Sequence, residues 1–590
     1  MPERLILFHP RTAAVCLGAA LSFGLSFGAH AQSEQPPPEL PTGYQEKKLA
    51  HASRYMVAAA HPLAVEAGLK ILARGGSAID AAIAVQMVLG LVEPQASGLG
   101  GGAFILHYDA KRRTTSGYDG RETAPMAAMP DLFIGADGRP MRFQEAVIGG
   151  RSVGVPGMLR AAEMAHARHG RLSWAALFEP AITLAEKGFA LTSRVQKHIA
   201  NENTLPKDAK ARAYLYQPDG TPKPVGAILR NPELAQVLRR IAKEGPDAFY
   251  TGTLAADMVA AVRGHSTNPG TLREDDLAAY RARAVEPLCA AYRVYRVCGL
   301  PPPSGALTVL QILKTLERFD MKSVRPGSAD GVHLFAEAGR LAFADRERYL
   351  GDDRFLSIPV AGLLDAAYNR RRGELIRVEK SMGRAGAGVP ESSGTPVVMA
   401  DGDAAEYPST SHISIVDKDG NAVSMTTSIE GIFGSKLFVH GFLLNNTLTD
   451  FSMLAMVNGR PVANAVYPGK RPRSAMSPVM VFDADGRLHM IIGSPGGPAI
   501  INYVARTLVA TLDWEMDIQS AIAQPNFGSR NGPTELEQGS SVESVAGALK
   551  AMGHDVRSAA FTSGLHGILR ERDGWQGGAD PRREGIAQGK

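Results

Sequence analysis

Six residues about two-thirds of the way along the chain, Ser409-Thr410-Ser411-His412-Ile413-Ser414, carry four hydroxyls and one imidazole. They run into "IVDKDGNAVSMTTS", which reads as strand, Asp-Gly turn, strand. A threonine that opens a strand directly after a loop suits a self-cleaving precursor. Its hydroxyl attacks the Ser409 carbonyl, the acyl group shifts from nitrogen to oxygen, and water releases a new chain beginning at Thr410. The freed α-amine has a reference pKa of about 7.7–8.0. It serves as base for its own hydroxyl, a role that nothing in an unprocessed chain supplies. His412, two residues on, is expected to be structural.

Other matches are weaker. G-x-S-x-G occurs at Gly24–Gly28, inside an apolar N-terminal stretch, and again at Gly150-Arg151-Ser152-Val153-Gly154. A nucleophile elbow needs a helix to begin right after the serine, and Val153-Gly154-Val155-Pro156 intervenes. "GLGGG" at 98–102 lacks the following helix and acidic partner of a dinucleotide site. No CxxC or HExxH spacing appears, so no metal and no cofactor are expected.

The elements that must position Thr410 are legible. Residues 62–92 read as two apolar-striped helices broken at Gly75-Gly76. Residues 155–200 and 229–285 are mostly helical in pattern, and 329–350 form a long amphipathic helix. Residues 383–408 are rich in Gly, Ala, Ser, Pro and acids, and read as a mobile loop ending just before Thr410. "PVMVFDADGRLHMIIGS" repeats the strand-turn-strand pattern around Asp485-Gly486. In "EPLCAAYRVYRVCG", two β-like runs around an Ala-Ala turn bring Cys289 and Cys298 across a hairpin, either bonded or as two buried thiols.

The 590 residues carry a formal charge of +5, with 45% hydrophobic and 21% charged residues. This balance is ordinary for a globular protein and gives no reason to expect nucleic acid. Arg4 and Arg11, the apolar stretch 13–28 and Ala29-His30-Ala31 read as a signal peptide over residues 1–31. No later run is long enough to span a membrane, and a periplasmic or secreted protein is expected. The Pro- and Gln-rich residues 32–49 read as a disordered leader.

Long stretches, "DGRETAP", "AEAGRLAFADRERYLGD", "TSHISIVDKDGNAVSMTTSIEGIFGS", "GFLLNNTLTDFS", "GKRPRSAMSP" and "GSPGGP", resemble the γ-glutamyltranspeptidase (glutathione hydrolase) family of N-terminal-nucleophile hydrolases. The resemblance implies an α+β fold, the four-layer αββα sandwich. It implies a cut between Ser409 and Thr410, giving a heterodimer of a large subunit (50–409, after the leader) and a small catalytic subunit (410–590) in one composite domain. The implied substrates are glutathione and other γ-glutamyl compounds, with water, amino acids or peptides as acceptors. Thr410 falls on the nucleophile and Ser428 on a supporting hydroxyl. Arg121 falls on the carboxylate-binding arginine, a role suited to a guanidinium fork. Asp450 and Glu430 fall on the residues that meet the α-ammonium. Ser474 falls on a carboxylate donor and Thr447 on a position where Gln or Glu is usual. Gly496 and Gly497 fall on the oxyanion hole.

There are departures from the family pattern. Ala475 replaces the second serine of "RPxSSM", removing one charge-assisted hydrogen bond worth about 1.5–3 kcal/mol. Ser428 replaces the commoner threonine, and "PPPSGAL" at 301–307 is shorter and less Gly-rich than usual. The segment from Asp450 to Ser474 is short, implying a more open site. Two rival readings remain. One is a glutaryl- or cephalosporin-type acylase of the same superfamily, whose substrate lacks the α-ammonium. The other is a non-catalytic exported binding protein on a decayed scaffold.

Overall fold

The structure is a computed structural model that describes Glu39 and residues 42–391, 398–402, 404 and 406–590. The expected signal peptide, half of the expected leader and part of the 383–408 loop lie outside the described residues.

Two seven-stranded sheets lie face to face. One runs in the order Ile586–Gly589, Met56–Ala59, Ser411–Val416, Ala422–Ser428, Gly102–Asp109, Thr114–Gly120, Arg283–Val285. The other runs Ala50–Ala52, Gly574–Ala579, His566–Glu571, Leu488–Gly493, Val479–Phe482, Tyr295–Gly299, Leu288–Tyr292. Every pairing in both sheets is antiparallel.

Period-two alternation explains the layering. Along Ser411–Val416, Ile413 and Ile415 join an outer core with helices Pro62–Ala73 and Ala78–Val92. His412 and Ser414 point the other way, into the space between the sheets, where Ser414 donates to the His566 carbonyl at 3.0 Å. Phe104, Leu106 and Tyr108 meet Met480, Phe482 and Met490 across the same gap. Helices Ala306–Leu316, Ala329–Tyr349 and Ile500–Leu512 cover the second sheet. The result is helix, sheet, sheet, helix: the αββα sandwich.

Local sequence sets the helix starts. The Ser77 hydroxyl accepts from the Asp80 amide at 3.2 Å, and the Asp80 carboxylate accepts from the Ser77 amide at 2.9 Å, a reciprocal cap. Ser328 caps Ala329–Tyr349 by accepting from the Gly331 amide. No helix among the described residues is long and apolar enough to cross a membrane.

Three expectations change on contact with the structure. The cysteine hairpin turns at Arg293-Val294, not at Ala290-Ala291. Cys289 therefore sits directly opposite Cys298, and the two are disulfide-bonded with Cα atoms 4.1 Å apart. The described part of the leader is docked. Glu39 is buried against Arg194 and Arg583, and the Gln45 amide donates to the Pro581 carbonyl at 2.7 Å. In the 383–408 loop, the Gly388 amide donates to Asp345 at 2.8 Å and Ala400 bridges to Val462.

Candidate active site

Register brings the hydroxyls together. Ser411 pairs with Thr427, so Thr410 stands opposite Ser428 at the same end of two central strands. The Thr410 hydroxyl donates to the Ser409 carbonyl at 2.5 Å and lies 3.2 Å from Ser428 Oγ. The Ser428 hydroxyl donates to that same carbonyl at 2.8 Å and accepts from the Glu430 amide at 2.8 Å. The Ser409 carbonyl thus receives two hydroxyls, which polarise it next to the oxygen that would attack it. His412 is committed elsewhere: its ring nitrogens meet Thr426 and Ser414. Burial holds the ring well below the usual histidine pKa, so it stays neutral.

Beside the hydroxyls lies a small cavity lined by Arg121, Glu406, Tyr407, Thr410, Ser428, Glu430, Asp450, Ser474, Ala475, Met476, Gly497 and Ile500. Arg121 directly follows the strand Thr114–Gly120 and is 1% exposed. Its Nη2 donates to Asp450 and, at 3.1 Å, to the Arg473 carbonyl. Its Nη1 meets Glu122 at 3.3 Å and its Nε the Pro472 carbonyl at 3.3 Å. Burial opposes the guanidinium charge, but Asp450 and Glu122 outweigh it and hold the pKa above the usual value.

Asp450 and Glu430 lie against each other. Burial first, then Glu406, pushes the Asp450 carboxyl up to about 6, against the pull of Arg121. Burial and the Asp450 charge push Glu430 well above the ordinary carboxylate range. Two carboxyls this close retain a proton between them. An ammonium group could replace that proton. Glu430 sits in a turn at φ 78°, where Glu is uncommon, and its carboxylate accepts from the Tyr407 amide at 2.7 Å.

Backbone supports hold the rest. Ser474 donates its amide to the Pro303 carbonyl at 2.9 Å, and the Gly305 amide donates to the Met476 carbonyl at 3.0 Å. The altered "PPPSGAL" motif therefore braces the Ser474–Met476 wall. Asn464 links the Asp450 carbonyl (2.6 Å) to the Arg473 amide (2.9 Å). Gly496 and Gly497 follow the strand Leu488–Gly493 with φ of 133° and 56°. A Cβ on Gly497 would lie 2.8 Å from the Tyr407 carbonyl oxygen. Only glycine suits that approach.

One sequence expectation differs here. Thr447 does not line the cavity; its hydroxyl donates to Glu122 at 2.8 Å and so acts one step behind Arg121. In the intact chain Glu406 and Tyr407 also line the cavity, beside Asp450 and Ser474. Tyr407 stacks on Phe143 with ring centres 4.6 Å apart and receives a bond from Gln144. Glu406, Tyr407, Arg346, Arg473, Met476 and Ile500 were not singled out by sequence. The first two lie in a stretch without periodicity. Arg473 occupies the variable position of "RPxSSM", and Arg346 lies within "FADRERYL".

Two other clusters are structural. Ser152 of the G-x-S-x-G match is buried and donates to the Val147 and Gly149 carbonyls. His333, Glu337 and His554 bring ligand atoms within 4.8 Å of one another. Both His333 nitrogens are already engaged, with His554 and the Arg377 carbonyl, and Glu337 accepts from Arg340, Ser381 and Met382.

Comparison with known proteins follows the same line. The sequence profile described as gamma-glutamyltranspeptidase matches residues 64–590. The chain belongs to the gamma-glutamyltranspeptidase family. Within it, the chain is 36% identical to the glutathione hydrolase proenzyme of Bacillus subtilis (strain 168), covering 98% of this chain and 99% of that protein. It is 35% identical to the glutathione hydrolase proenzyme of Escherichia coli (strain K12), covering 96% of each. Among solved structures, the cephalosporin acylase from Bacillus halodurans superposes with a TM-score of 0.80 at 29% identity, over 94% of this chain and 99% of the other. This transpeptidase-family chain thus shares its fold with a protein named as a cephalosporin acylase.

Proposed function

We propose that the protein is a self-processing γ-glutamyltransferase and glutathione hydrolase. The observation that carries this reading is the Thr410 hydroxyl held on the Ser409 carbonyl beside the Arg121–Asp450–Glu430 cluster. Thr410 Oγ1 attacks the Ser409 carbonyl carbon, and the peptide becomes an ester as the Thr410 nitrogen leaves. Water cleaves the ester, giving a Ser409 carboxylate and a free Thr410 α-amine. In the second reaction that amine takes the Thr410 proton. The hydroxyl attacks a γ-glutamyl amide, the leaving amine departs protonated, and a γ-glutamyl ester remains. Water or an amino acid or peptide then accepts the γ-glutamyl group. Gly496 and Gly497 contribute backbone N–H groups to the tetrahedral oxyanion. Ser428 steadies Thr410, Asp450 and Glu430 hold the α-ammonium, and Arg121 and Ser474 serve the α-carboxylate. Thr447 supports Arg121 through Glu122. The two chains, 50–409 and 410–590, stay together as one sandwich, in a protein exported through its N-terminal signal to the periplasm or outside.

The similarity to a cephalosporin acylase favours a second reading, cleavage of a glutaryl-type amide. A glutaryl group has no ammonium to offer Glu430 and Asp450, which argues for the amino-acid substrate. The test begins with N-terminal sequencing of the small fragment, expected to start at Thr410. Turnover of a γ-glutamyl anilide in preference to a glutaryl anilide supports the first reading. An intact chain that turns over γ-glutamyl anilide at full rate overturns it.

A further inference from the structure

Outside the residues that line the cavity, two buried arginines meet one carboxylate from near the start of the chain. Arg194, from helix Ser193–Ala200, and Arg583 are each 1% exposed. The Nη2 of each donates to Glu39, one to either carboxylate oxygen. Thr562 Oγ1 donates to the Glu39 carbonyl at 2.5 Å. No other carboxylate among the described residues touches both arginines. Glu93 Oε1 is 3.4 Å from Arg194 Nε, but burial pushes its carboxyl up to about 8, so it is mostly protonated at neutral pH. Glu584 is spent on the Ser193 hydroxyl and the Arg194 amide, and Asp580 on Arg582. Burial, then Arg194, pushes His198 down to about 2, so it stays neutral.

The pair holds more donors than Glu39 uses: Arg194 Nε and Arg583 Nη1 have no hydrogen-bond acceptor. Two buried guanidiniums without an anion are costly, and Glu39 is the charge that offsets them. The surroundings give this pairing a use. Arg583 donates to the Ser563 carbonyl at 3.1 Å and the Thr562 carbonyl at 2.9 Å. The next amide, of Gly564, donates to Ser494 Oγ at 3.3 Å, and Pro495, Gly496 and Gly497 follow. A Cβ on Gly564 would lie 2.5 Å from Pro495 Cγ and 2.6 Å from Arg583 Cδ, so the three segments are in contact. On the other side, Glu93 stands two residues before Gln95, whose carbonyl accepts from the Ser409 hydroxyl at 2.8 Å. The pair thus lies between the segment that leads to the oxyanion glycines and the one that holds the bond to be cut. Glu39 and Arg194 are on the large-chain side of that cut, and Arg583 is on the small-chain side.

We propose that Arg194 and Arg583 form a binding site for a small carboxylate, filled by the chain's own Glu39, and that the filled site holds the turn 494–497 in place across the cut. Two oxygens on one carboxylate suit two guanidinium groups that converge from different chains. Glu39 is then a positioning residue, since it touches no reacting atom. Removing its side chain leaves the donors in place for a free carboxylate of formate's size. The site stands without the γ-glutamyl reading; only its effect on turnover rests on it.

Chemical rescue of Glu39→Ala in the processed protein tests this, with sodium formate as probe and formamide as its uncharged counterpart. Without formate the variant is expected to melt roughly 5 °C below wild type. Its kcat for a γ-glutamyl anilide, measured well below that melt, is expected to fall at least about threefold with KM unchanged. Formate is expected to restore about half of both losses in a saturable way, while formamide restores neither and wild type responds to neither. A Glu39→Ala protein that melts and turns over like wild type overturns the proposal. A loss of stability that formate does not reduce, or reduces no more than formamide does, overturns the site, as does an equal gain in wild type. Stability rescued by formate with kcat left low overturns the hold on the turn. Should Glu39→Ala fail to fold, Glu39→Gln decides, because it keeps the shape and drops the charge: a lower melt supports the site, and a melt equal to wild type overturns it. Wild type inactive on the γ-glutamyl anilide overturns the γ-glutamyl reading, and the melts alone then decide the site.

Discussion

Gly497→Ala probes the step from one chain to two. A Cβ there would meet the Tyr407 carbonyl oxygen at 2.8 Å, the Tyr407 carbonyl carbon at 2.9 Å and the Pro408 nitrogen at 3.0 Å. All three are backbone atoms of the segment that leads into the bond to be cut. Ordinary contact begins at 3.4 Å, so that segment must give way by about 0.6 Å. Reaction geometry costs about 10²-fold in rate per ångström of misplacement. The expected result is processing slowed about tenfold. The φ of 56° adds a separate cost: alanine in the left-handed region loses roughly 1–2 kcal/mol. That strain is common to the resting precursor and to the cleavage transition state, so it lowers the melting temperature without lowering the rate. The two effects separate in two assays, a denaturing-gel time course of fresh precursor and a thermal melt. A Gly497→Ala precursor that melts lower but matures at the wild-type rate refutes the reasoning.

Further expectations concern pH, the disulfide and the missing serine. Asp450, pushed up to about 6 by burial, holds an ammonium only as a carboxylate. The carboxylate is depleted below that pH, so kcat/KM for a γ-glutamyl anilide should fall about tenfold per unit on the acid side; a profile flat down to pH 5 refutes this. Replacing Cys289 and Cys298 by serine removes a cross-link between residues nine apart. Chain entropy puts the loss at about 2–3 kcal/mol, and an unchanged denaturation midpoint counts against it. Ala475 lines the cavity, so Ala475→Ser adds a donor to the carboxylate worth about 1.5–3 kcal/mol. KM for the γ-glutamyl anilide should drop roughly ten- to hundredfold with kcat nearly unchanged, and an unchanged KM shows that the carboxylate lies elsewhere.

Much of this protein was set by local sequence. The Gly75-Gly76 break, the Ser77–Asp80 cap and the alternation of Ile413 and Ile415 with His412 and Ser414 follow from spacing alone. Helix and strand periods are properties of a short stretch, and a strand that opens just after Thr410 is visible within it. Family motifs carried the names of Arg121, Ser428, Glu430, Asp450, Ser474, Gly496 and Gly497, because their text is long.

What only the tertiary structure decided is which charges answer which. Glu406 had no periodicity to mark it, yet it closes a pocket between Arg346 and Arg473, far off in the chain. Thr447 shares a motif with Asp450 but turns to Glu122 instead of the cavity. Cys289 met Cys298 because the hairpin turned three residues later than its composition implied. Electrostatic pairing and strand register depend on distances through space, which fall off steeply and are not written in residue spacing.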